Sequence, residues 1–373
     1  MHPRTTRSHV SADLPTPTPH RQRAARRYLA LAPDAFATRA AKTAHGAIAY
    51  ASDPVVAVID PAFAGRRVRD AVPYLGSDAP IVADVASGLA FAPTSLLIGV
   101  APPGGALPPA WRAAVLTALA AGLEIVSGLH EILADDAEFC AAAHASGARI
   151  WDLRVPPPVP LFSGAAYGIA AKIVLTVGSD CAVGKMTVAL ELTRAARDRD
   201  VNAAFVPTGQ TGIVIAGWGI AIDRVIADFA PGAAEQLVLE GARHGDLLFV
   251  EGQGGINHPA YAPVTLALLT GSAPDALVLV HLVTRTHIEG YGVPLLSYRE
   301  LIRSYEMLCS GIKPARVVAI ALNTVGLDNA AATAAIDDAR MQTGLPVDDV
   351  VRNGPHALYD AIAPAFAKTH VRQ

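Results

Sequence analysis

The chain has 373 residues, which is enough for two domains that each bury a core. Hydrophobic residues make up 52% and charged residues only 17%, yet no apolar stretch is long enough to predict a membrane span. A net charge of −3 argues against a nucleic-acid surface, and three widely separated cysteines are typical of a reducing cytoplasm. We therefore expect a cytoplasmic protein that acts on a small molecule.

Residues 1–27 differ from the rest of the chain. They carry six arginines and one acidic residue around a Pro-Thr-Pro-Thr-Pro run, without the apolar core of a signal peptide. This composition predicts a disordered basic tail, and the alternative is a basic arm for an anionic partner. We place the first domain at residues 28–160, ending in the proline-rich stretch 154–160, and the second at residues 161–373.

From Pro54 onward, short apolar runs alternate with helical patterns, which predicts βαβ units and a parallel sheet. The predicted strands of the first half are Val55–Ile59, Pro80–Ala83, Ser95–Val100, Leu123–Val126 and Arg149–Trp151, with helices at Pro109–Ala121 and Asp135–Ala145. Ligands of open parallel sheets lie at the carboxyl ends of the strands. That rule selects the turn 101–105 and the segment 127–130, and a tight structural turn remains the alternative.

The second half continues the same alternation. Its predicted strands are Ile173–Val177, Ala203–Val206, Leu247–Val250, Ala276–Leu282 and Val317–Leu322. One predicted helix begins near Val188. The others span Ile222–Leu239, Leu295–Leu308 and Ala330–Thr343. The sequence thus predicts an α/β fold with two parallel-sheet halves.

A glycine-bounded loop, Gly178-Ser-Asp-Cys-Ala-Val-Gly-Lys-Met-Thr187, joins a predicted strand to a predicted helix. Loop N–H groups, the helix N-terminus and a lysine together form a phosphate-binding arrangement. The spacing is unusual, because five residues separate the glycines and Met186 separates Lys185 from Thr187; the alternative is an ordinary glycine-rich turn. The predicted cofactor-binding residues are Gly178, Ser179, Cys181, Val183, Gly184, Lys185, Met186 and Thr187.

A second motif, Val250-Glu-Gly-Gln-Gly-Gly255, follows another apolar strand. Such a strand would deliver Glu251 to the same sheet edge, where a carboxylate can hold Mg²⁺ beside phosphates. The alternative is an acid that simply ends a core strand. Together the two motifs resemble the dethiobiotin synthetase branch of P-loop proteins, and this resemblance implies metal roles for Thr187 and Glu251.

A broader resemblance extends from about Tyr28 to most of the chain. The phosphate loop is similar to that of domain-of-unknown-function family 1611. The other matching segments are Gly99–Gly105, Gly128–His130, Pro207–Gly212, Ala227–Phe229 and Val250–Gly255. The resemblance implies an N-terminal Rossmann-like domain and a C-terminal P-loop NTPase-like domain. It also implies a link to D-glutamate catabolism, where DgcN-type members are acetyl-CoA-dependent D-amino-acid N-acetyltransferases.

Acetyl transfer to an amine needs a base and donors for the developing oxyanion. The catalytic candidates are Asp180, Lys185, Asp228 and His258. The imidazole of His258 suits a base, although a surface loop residue is the alternative. Cys181, at a helix N-terminus, should have a lowered pKa and could carry an acetyl group, or it only fills the loop. The predicted substrate-binding residues are Gln210, Thr211, Gly254 and Arg285.

Three functions remain open at this point. The first is acetyl transfer, which uses acetyl-CoA. The second is carboxylate activation by ATP and Mg²⁺, as in a ligase or kinase of the dethiobiotin synthetase kind. The third, a non-catalytic nucleotide switch, is disfavoured because Asn323-Thr-Val-Gly lacks the Asn-Lys-x-Asp pattern of guanine-specific switches. We rank acetyl transfer first and expect a homo-oligomer with a small amino-acid substrate, without nucleic-acid or membrane partners.

Overall fold

The computed structural model describes residues 25–366, and the first of its two sheets has six parallel strands. These strands are β1 (Tyr28–Leu31), β2 (Val55–Ile59), β3 (Ile81–Val82), β4 (Ser95–Ile98), β5 (Glu124–Ser127) and β6 (Ile150–Asp152). Their helices are α1 (Lys42–Tyr50), α2 (Val68–Ala71), α3 (Val85–Gly88), α4 (Arg112–Ala120) and α5 (Ala137–Ser146). The order β3-β2-β1-β4-β5-β6 is that of a dinucleotide-binding Rossmann sheet.

The second sheet also has six parallel strands, in the order β12-β11-β10-β7-β9-β8. They are β7 (Lys172–Gly178), β8 (Ala203–Val206), β9 (Leu247–Val250), β10 (Ala276–Leu282), β11 (Arg316–Asn323) and β12 (Val347–Asp348). The helices are α6 (Lys185–Arg197), α7 (Gln210–Ala216), α8 (Ala230–Gly241), α9 (Ala262–Gly271), α10 (Tyr298–Ser310), α11 (Asn329–Thr343) and α12 (His356–Ile362). The phosphate loop follows β7, an inner strand between β9 and β10.

All ten predicted strands are present, with ends shifted by at most two residues. They were readable because strands covered on both faces are continuous apolar runs, as in the wholly buried β8 and β9. The sequence analysis missed β1, β12 and six helices, namely α1, the one-turn helices α2 and α3, and α7, α9 and α12.

Two predicted helix starts were wrong for local reasons. Residues 222–229 form two short 3₁₀ turns, and α8 begins only at Ala230, with Pro231 in its first turn, where the missing N–H is tolerated. Helix α10 begins at Tyr298 rather than Leu295, because Ser297 and Glu300 form a capping box.

Residues 1–24 of the predicted basic tail lie outside the part of the chain that the structure describes. The last two arginines of the tail, however, belong to the fold. Arg26 is buried, donates from Nη2 to Glu124 at 2.9 Å and lies 4.1 Å above the Trp151 ring. Arg27 donates to the backbone oxygens of residues 91 and 92. Assigning these two residues to the tail was therefore wrong.

The two halves pack against each other through α1 and α7. Thr43 and Thr211 share a hydrogen bond of 3.1 Å, and Tyr50 donates to Glu191 at 2.9 Å. An apolar cluster that includes Tyr28 of the first half and Ile213 of the second lies between the sheets. Within residues 25–366, no helix has both the length and the apolar character that crossing a membrane requires.

Candidate active site

The phosphate loop leaves β7 and turns through two left-handed residues, Ala182 with φ +52° and Gly184 with φ +116°. Helix α6 begins immediately afterwards at Lys185. Within the part of the chain that the structure describes, the backbone N–H groups of residues 185–187 donate to no acceptor. Free N–H groups at the start of a 13-residue helix make this loop an anion-binding site.

Lys185 holds the two sequence motifs together. Its Nζ donates to the backbone oxygens of Asp180 and Gly254, each at 2.7 Å, and the residue is only 5% exposed. Burial lowers the pKa of Lys185 to about 8, against the opposing influence of Cys181 and Asp180. The Lys185 ammonium is therefore desolvated and held between the loop and the glycine turn, where it can pair with an anion bound in the loop.

The Asp180 carboxylate is fully buried and accepts three hydrogen bonds. Its donors are the Cys181 N–H at 2.7 Å, Nη1 of Arg285 at 2.6 Å and the Glu289 N–H at 2.8 Å. Because these three donors engage both oxygens, the carboxylate anchors the loop, which disfavours the predicted catalytic role. Arg285, predicted to bind substrate, is the ion-pair partner of Asp180.

The His258 side chain is 1% exposed, so the alternative of a surface loop residue was wrong. Its Nδ1 accepts the N–H groups of Ala260 and Tyr261 at 3.1 and 3.2 Å. The proton of the neutral ring therefore lies on Nε2, which has no hydrogen-bond partner among residues 25–366 and lies 3.8 Å from Asp180 Oδ1. The ring faces the loop as a donor, which disfavours the predicted role of His258 as a base.

Cys181 does not have the lowered pKa that its sequence position predicted. Burial first, then the charges of Asp180 and Glu289, raise the pKa of this thiol to about 12. Ligand atoms of Asp180, Cys181 and His258 lie within 4.8 Å of one another, a cluster the sequence had not indicated. Because Nε2 of the neutral His258 ring carries a proton, the cluster lacks a third lone pair for a metal ion.

Glu251 follows β9 and is buried beside the loop, as the second motif predicted. Its Oε2 accepts the N–H groups of Thr208 and Gly209 at 2.9 and 3.1 Å, whereas Oε1 accepts no hydrogen bond from the described residues. Burial raises the pKa of this carboxyl to about 7, in spite of the two N–H donors. Glu251 can therefore exchange a proton near neutral pH, a property that suits a general base.

Of the remaining predicted site residues, one lies at the loop, two lie where the halves meet and one lies on the surface. Gln210 accepts from Arg154 at 2.8 Å, and Thr211 is buried between the halves, which disfavours a substrate contact for Thr211. Asp228 is exposed and forms no hydrogen bond or ion pair that would link it to the loop in residues 25–366. Thr187 lies in the first turn of α6. Its hydroxyl makes no hydrogen bond to the rest of the described chain.

Three loop residues predicted to bind a cofactor have structural partners. Ser179 Oγ lies 2.9 Å from Nδ1 of His281, Val183 accepts from Asn323 at 3.2 Å, and Met186 packs into the core that covers one face of the second sheet. The sequence analysis did not identify His281, although it lies near the carboxyl end of β10, the place that the strand-end rule selects.

Tyr305 of α10 was also missed. Its hydroxyl donates to the Gly178 oxygen at 2.6 Å and accepts from the Ile256 N–H at 3.1 Å. It thus braces the phosphate loop against the segment after the glycine turn. Only its place on the buried side of an amphipathic helix would have indicated it.

Comparison with known proteins agrees with this geometry. The model of the domain of unknown function DUF1611_C, a P-loop domain, matches residues 160–359, and that of DUF1611_N, a Rossmann-like domain, matches residues 61–156. The crystal structure of a DUF1611 family protein from Anabaena variabilis ATCC 29413 is similar, with a TM-score of 0.86 and 41% identity. That comparison covers 91% of this chain and 99% of the other.

Two similar proteins carry the name D-glutamate N-acetyltransferase. The one from Tritonibacter scottomollicae is 39% identical over 276 residues, covering 72% of this chain and 81% of that protein. The one from Pseudoalteromonas sp. is 36% identical over 265 residues, covering 70% and 78%. With a Rossmann-like domain followed by a P-loop domain, the chain belongs to the DUF1611 family.

Proposed function

We propose that the protein is an N-acetyltransferase that uses acetyl-CoA and acts on D-glutamate or a related amino acid in amino-acid catabolism. The observation that carries the proposal is a buried carboxyl, Glu251, with a pKa of about 7 beside an anion-binding loop. The names of the two similar proteins support the reaction type and the acceptor.

The residues of the loop fit the phosphates of coenzyme A. The free N–H groups at the start of α6 would donate to phosphate oxygens, and Lys185 would neutralise part of their charge. When bound, acetyl-CoA supplies an activated acetyl group as a thioester. The task of the protein is then to position that group, accept a proton from the amine and donate to the carbonyl oxygen.

Glu251 is suited to the proton transfer. An amino acid is an ammonium at neutral pH, so a proton must leave before its nitrogen can attack the thioester carbon. In the proposed reaction Glu251 Oε1 takes this proton, the C–N bond forms and the C–S bond breaks. The second amine proton goes to the departing sulfur, so that the products are the acetylated amine, a free thiol and one proton to be released from Glu251.

His258 is suited to the carbonyl oxygen. Its Nε2–H is buried, fixed by two backbone N–H groups on the opposite side of the ring, and has no acceptor among the described residues. A donor held in this way loses no orientational freedom when charge develops on an oxygen, which is the basis of oxyanion stabilisation.

The direct test is the release of thiol from acetyl-CoA by the purified protein with D-glutamate and without nucleotide. We expect the wild type to release thiol and the Lys185→Ala variant to release it more slowly, by a factor on the order of 10²–10³. The matched control Lys172→Ala, at the opposite end of β7, should release thiol at the wild-type rate. If the wild type releases no thiol with any acidic D-amino acid, the proposal is wrong. Full activity of Lys185→Ala would remove the loop from the mechanism.

A second candidate is the ATP- and Mg²⁺-dependent activation of a carboxylate. It is favoured by two oxygen atoms near the loop, Thr187 Oγ1 and Glu251 Oε1, neither of which makes a hydrogen bond within residues 25–366, since oxygen ligands suit Mg²⁺. ADP formation that needs ATP, Mg²⁺ and an amino acid together would support it. Thiol release without nucleotide would exclude it.

A cytoplasmic location and a homo-oligomeric state remain predictions from composition. Fractionation of the native host and size-exclusion chromatography with light scattering would test them.

A further inference from the structure

A cavity of about 370 Å³ lies between the two halves, away from the phosphate loop itself. Its walls include Lys42, Gly105, His130, Arg154, Gln210 and Tyr261. It adjoins the carboxyl ends of β4 and β5, next to the β1–β4 pair, where the strand order of the first sheet reverses. Open α/β sheets bind their ligands at this place, and the volume is that of a small-molecule site.

Two glycines shape this interdomain cavity. Gly105 has φ +72°, and a Cβ there would lie 2.5 Å from Cδ2 of His130. A Cβ on Gly128 would lie 2.8 Å from Cγ of Gln210, a residue of the other half. The loops after β4 and β5 can therefore pack together at Gly105, and the loop after β5 can approach the second half at Gly128, only because these positions lack side chains.

Positive charge dominates the cavity. Buried Arg154 donates to the Gly128 oxygen and to Gln210, each at 2.8 Å, and pairs with Asp223, so its guanidinium fixes the walls and is balanced by one carboxylate. Lys42 is exposed at the start of α1, and no described residue forms a hydrogen bond or an ion pair with its ammonium. The charge of Lys42 is therefore free to meet an anionic ligand.

The backbone places this cavity next to Glu251. Oε2 of Glu251 accepts the N–H group of Gly209 at 3.1 Å, and Gly209 directly precedes Gln210, which lines the cavity. Tyr261, which lines the cavity, also stacks on the His258 ring with centroids 4.5 Å apart. Glu251 and His258 thus lie between the interdomain cavity and the phosphate loop.

We propose that the interdomain cavity is the binding site of the acidic acceptor, with the side-chain carboxylate of the amino acid paired to Lys42 and its amine directed to Glu251. This inference rests on the proposed function, because it supplies the acceptor subsite of that reaction. It separates two anion sites, one for the phosphates of the cofactor at α6 and one for the carboxylates at α1.

The test is calorimetric titration of the full chain with D-glutamate and with D-glutamine, with coenzyme A present so that no transfer occurs. D-Glutamine lacks the side-chain carboxylate but keeps its shape. We expect the wild type to prefer D-glutamate by about tenfold or more, and Lys42→Gln to lose most of that preference by weakening D-glutamate binding alone. Lys172→Gln, which removes a lysine at the far end of β7, should bind both ligands like the wild type.

Several outcomes would overturn the proposal. The first is that the wild type does not bind D-glutamate, or binds D-glutamate and D-glutamine equally well. The second is that the Lys42→Gln variant binds D-glutamate as tightly as the wild type does. A Lys42→Gln variant that raises KM for acetyl-CoA alone would assign the cavity to a cofactor phosphate instead. Thiol release, measured in parallel, distinguishes acetyl transfer from binding of the amino acid in the cavity. If D-glutamate binding depends on Lys42 but no thiol is released, acetyl transfer is refuted and the assignment of the cavity is supported.

Discussion

Replacement of Glu251 by Gln should make the protein more stable at alkaline pH while it abolishes the proposed acetyl transfer. Gln keeps an oxygen that can accept the N–H groups of Thr208 and Gly209, as Oε2 does now. It cannot ionise, so it resembles the protonated acid permanently. The variant therefore isolates the free energy of placing a negative charge at this buried position.

The magnitude follows from the shift of the pKa of Glu251, from its ordinary value of 4.5 to about 7 in the folded state. A raised pKa means that folding favours the protonated form. The stabilisation is complete below pH 4.5 and is lost as the pH rises through about 7. A shift of roughly 2.5 units corresponds to about 3 kcal/mol, at about 1.4 kcal/mol per unit. At pH 8.5 the Gln variant should exceed the wild type by up to that amount, and at pH 4.5 the difference should fall below about 0.5 kcal/mol.

Urea unfolding of both proteins at pH 4.5, 6 and 8.5 measures this difference, and effects of other titrating groups cancel between the two proteins. The same proteins should differ by a factor on the order of 10²–10⁴ in kcat at pH 8, with the inflection near pH 7 present only in the wild type. A stability difference that does not change with pH would refute the raised pKa. A variant with wild-type kcat would refute the role of Glu251 as the proton acceptor.

The fold was readable where burial follows from local sequence. Strands covered on both faces are apolar without interruption, and ten of them could be found in this way. Strand β1 could not, because its four apolar residues directly follow Arg26 and Arg27, and its burial depends on pairing with β2 and β4, which come later in the chain. The local sequence therefore could not predict that β1 lies in the centre of the sheet.

Helix α7 illustrates a different limit. Gly212 lowers the helical propensity of the segment 210–216, for which the sequence analysis predicted no helix. The structure requires the glycine, because a Cβ at this position would overlap Oε2 of Glu251. A tertiary contact with the candidate base has thus overridden local propensity, and no property of the segment itself reveals the contact.

The candidate site shows the same division between local and distant causes. The anion-binding loop follows from spacing alone, because N–H groups, a helix start and Lys185 are consecutive in sequence. The pKa of Cys181 does not, because burial of the thiol raises it first, and the carboxylates of Asp180 and of Glu289, which comes from a remote loop, raise it further. The sequence pattern included the helix N-terminus and the lysine but neither the burial nor these carboxylates, so the predicted pKa shift had the wrong sign.

Three further variants, at two positions, test the remaining assignments. Cys181→Ser should keep activity within about threefold of the wild type, because a thiol with a pKa of about 12 is not ionised at neutral pH; a loss of several orders of magnitude would restore an acetyl-cysteine intermediate. His258→Asn and His258→Gln form a matched pair, because the Asn amide reaches the position of Nδ1 and the Gln amide that of Nε2. Asn can accept the N–H groups of Ala260 and Tyr261, so we expect a folded protein with kcat lowered on the order of 10²–10³-fold by the loss of one donor. Gln disturbs that turn but returns an N–H to the loop, so we expect part of the activity to return, with an unchanged pH profile. A base cannot be replaced by an amide, and equal inactivity of the two folded variants would therefore show that His258 accepts a proton rather than donates a hydrogen bond.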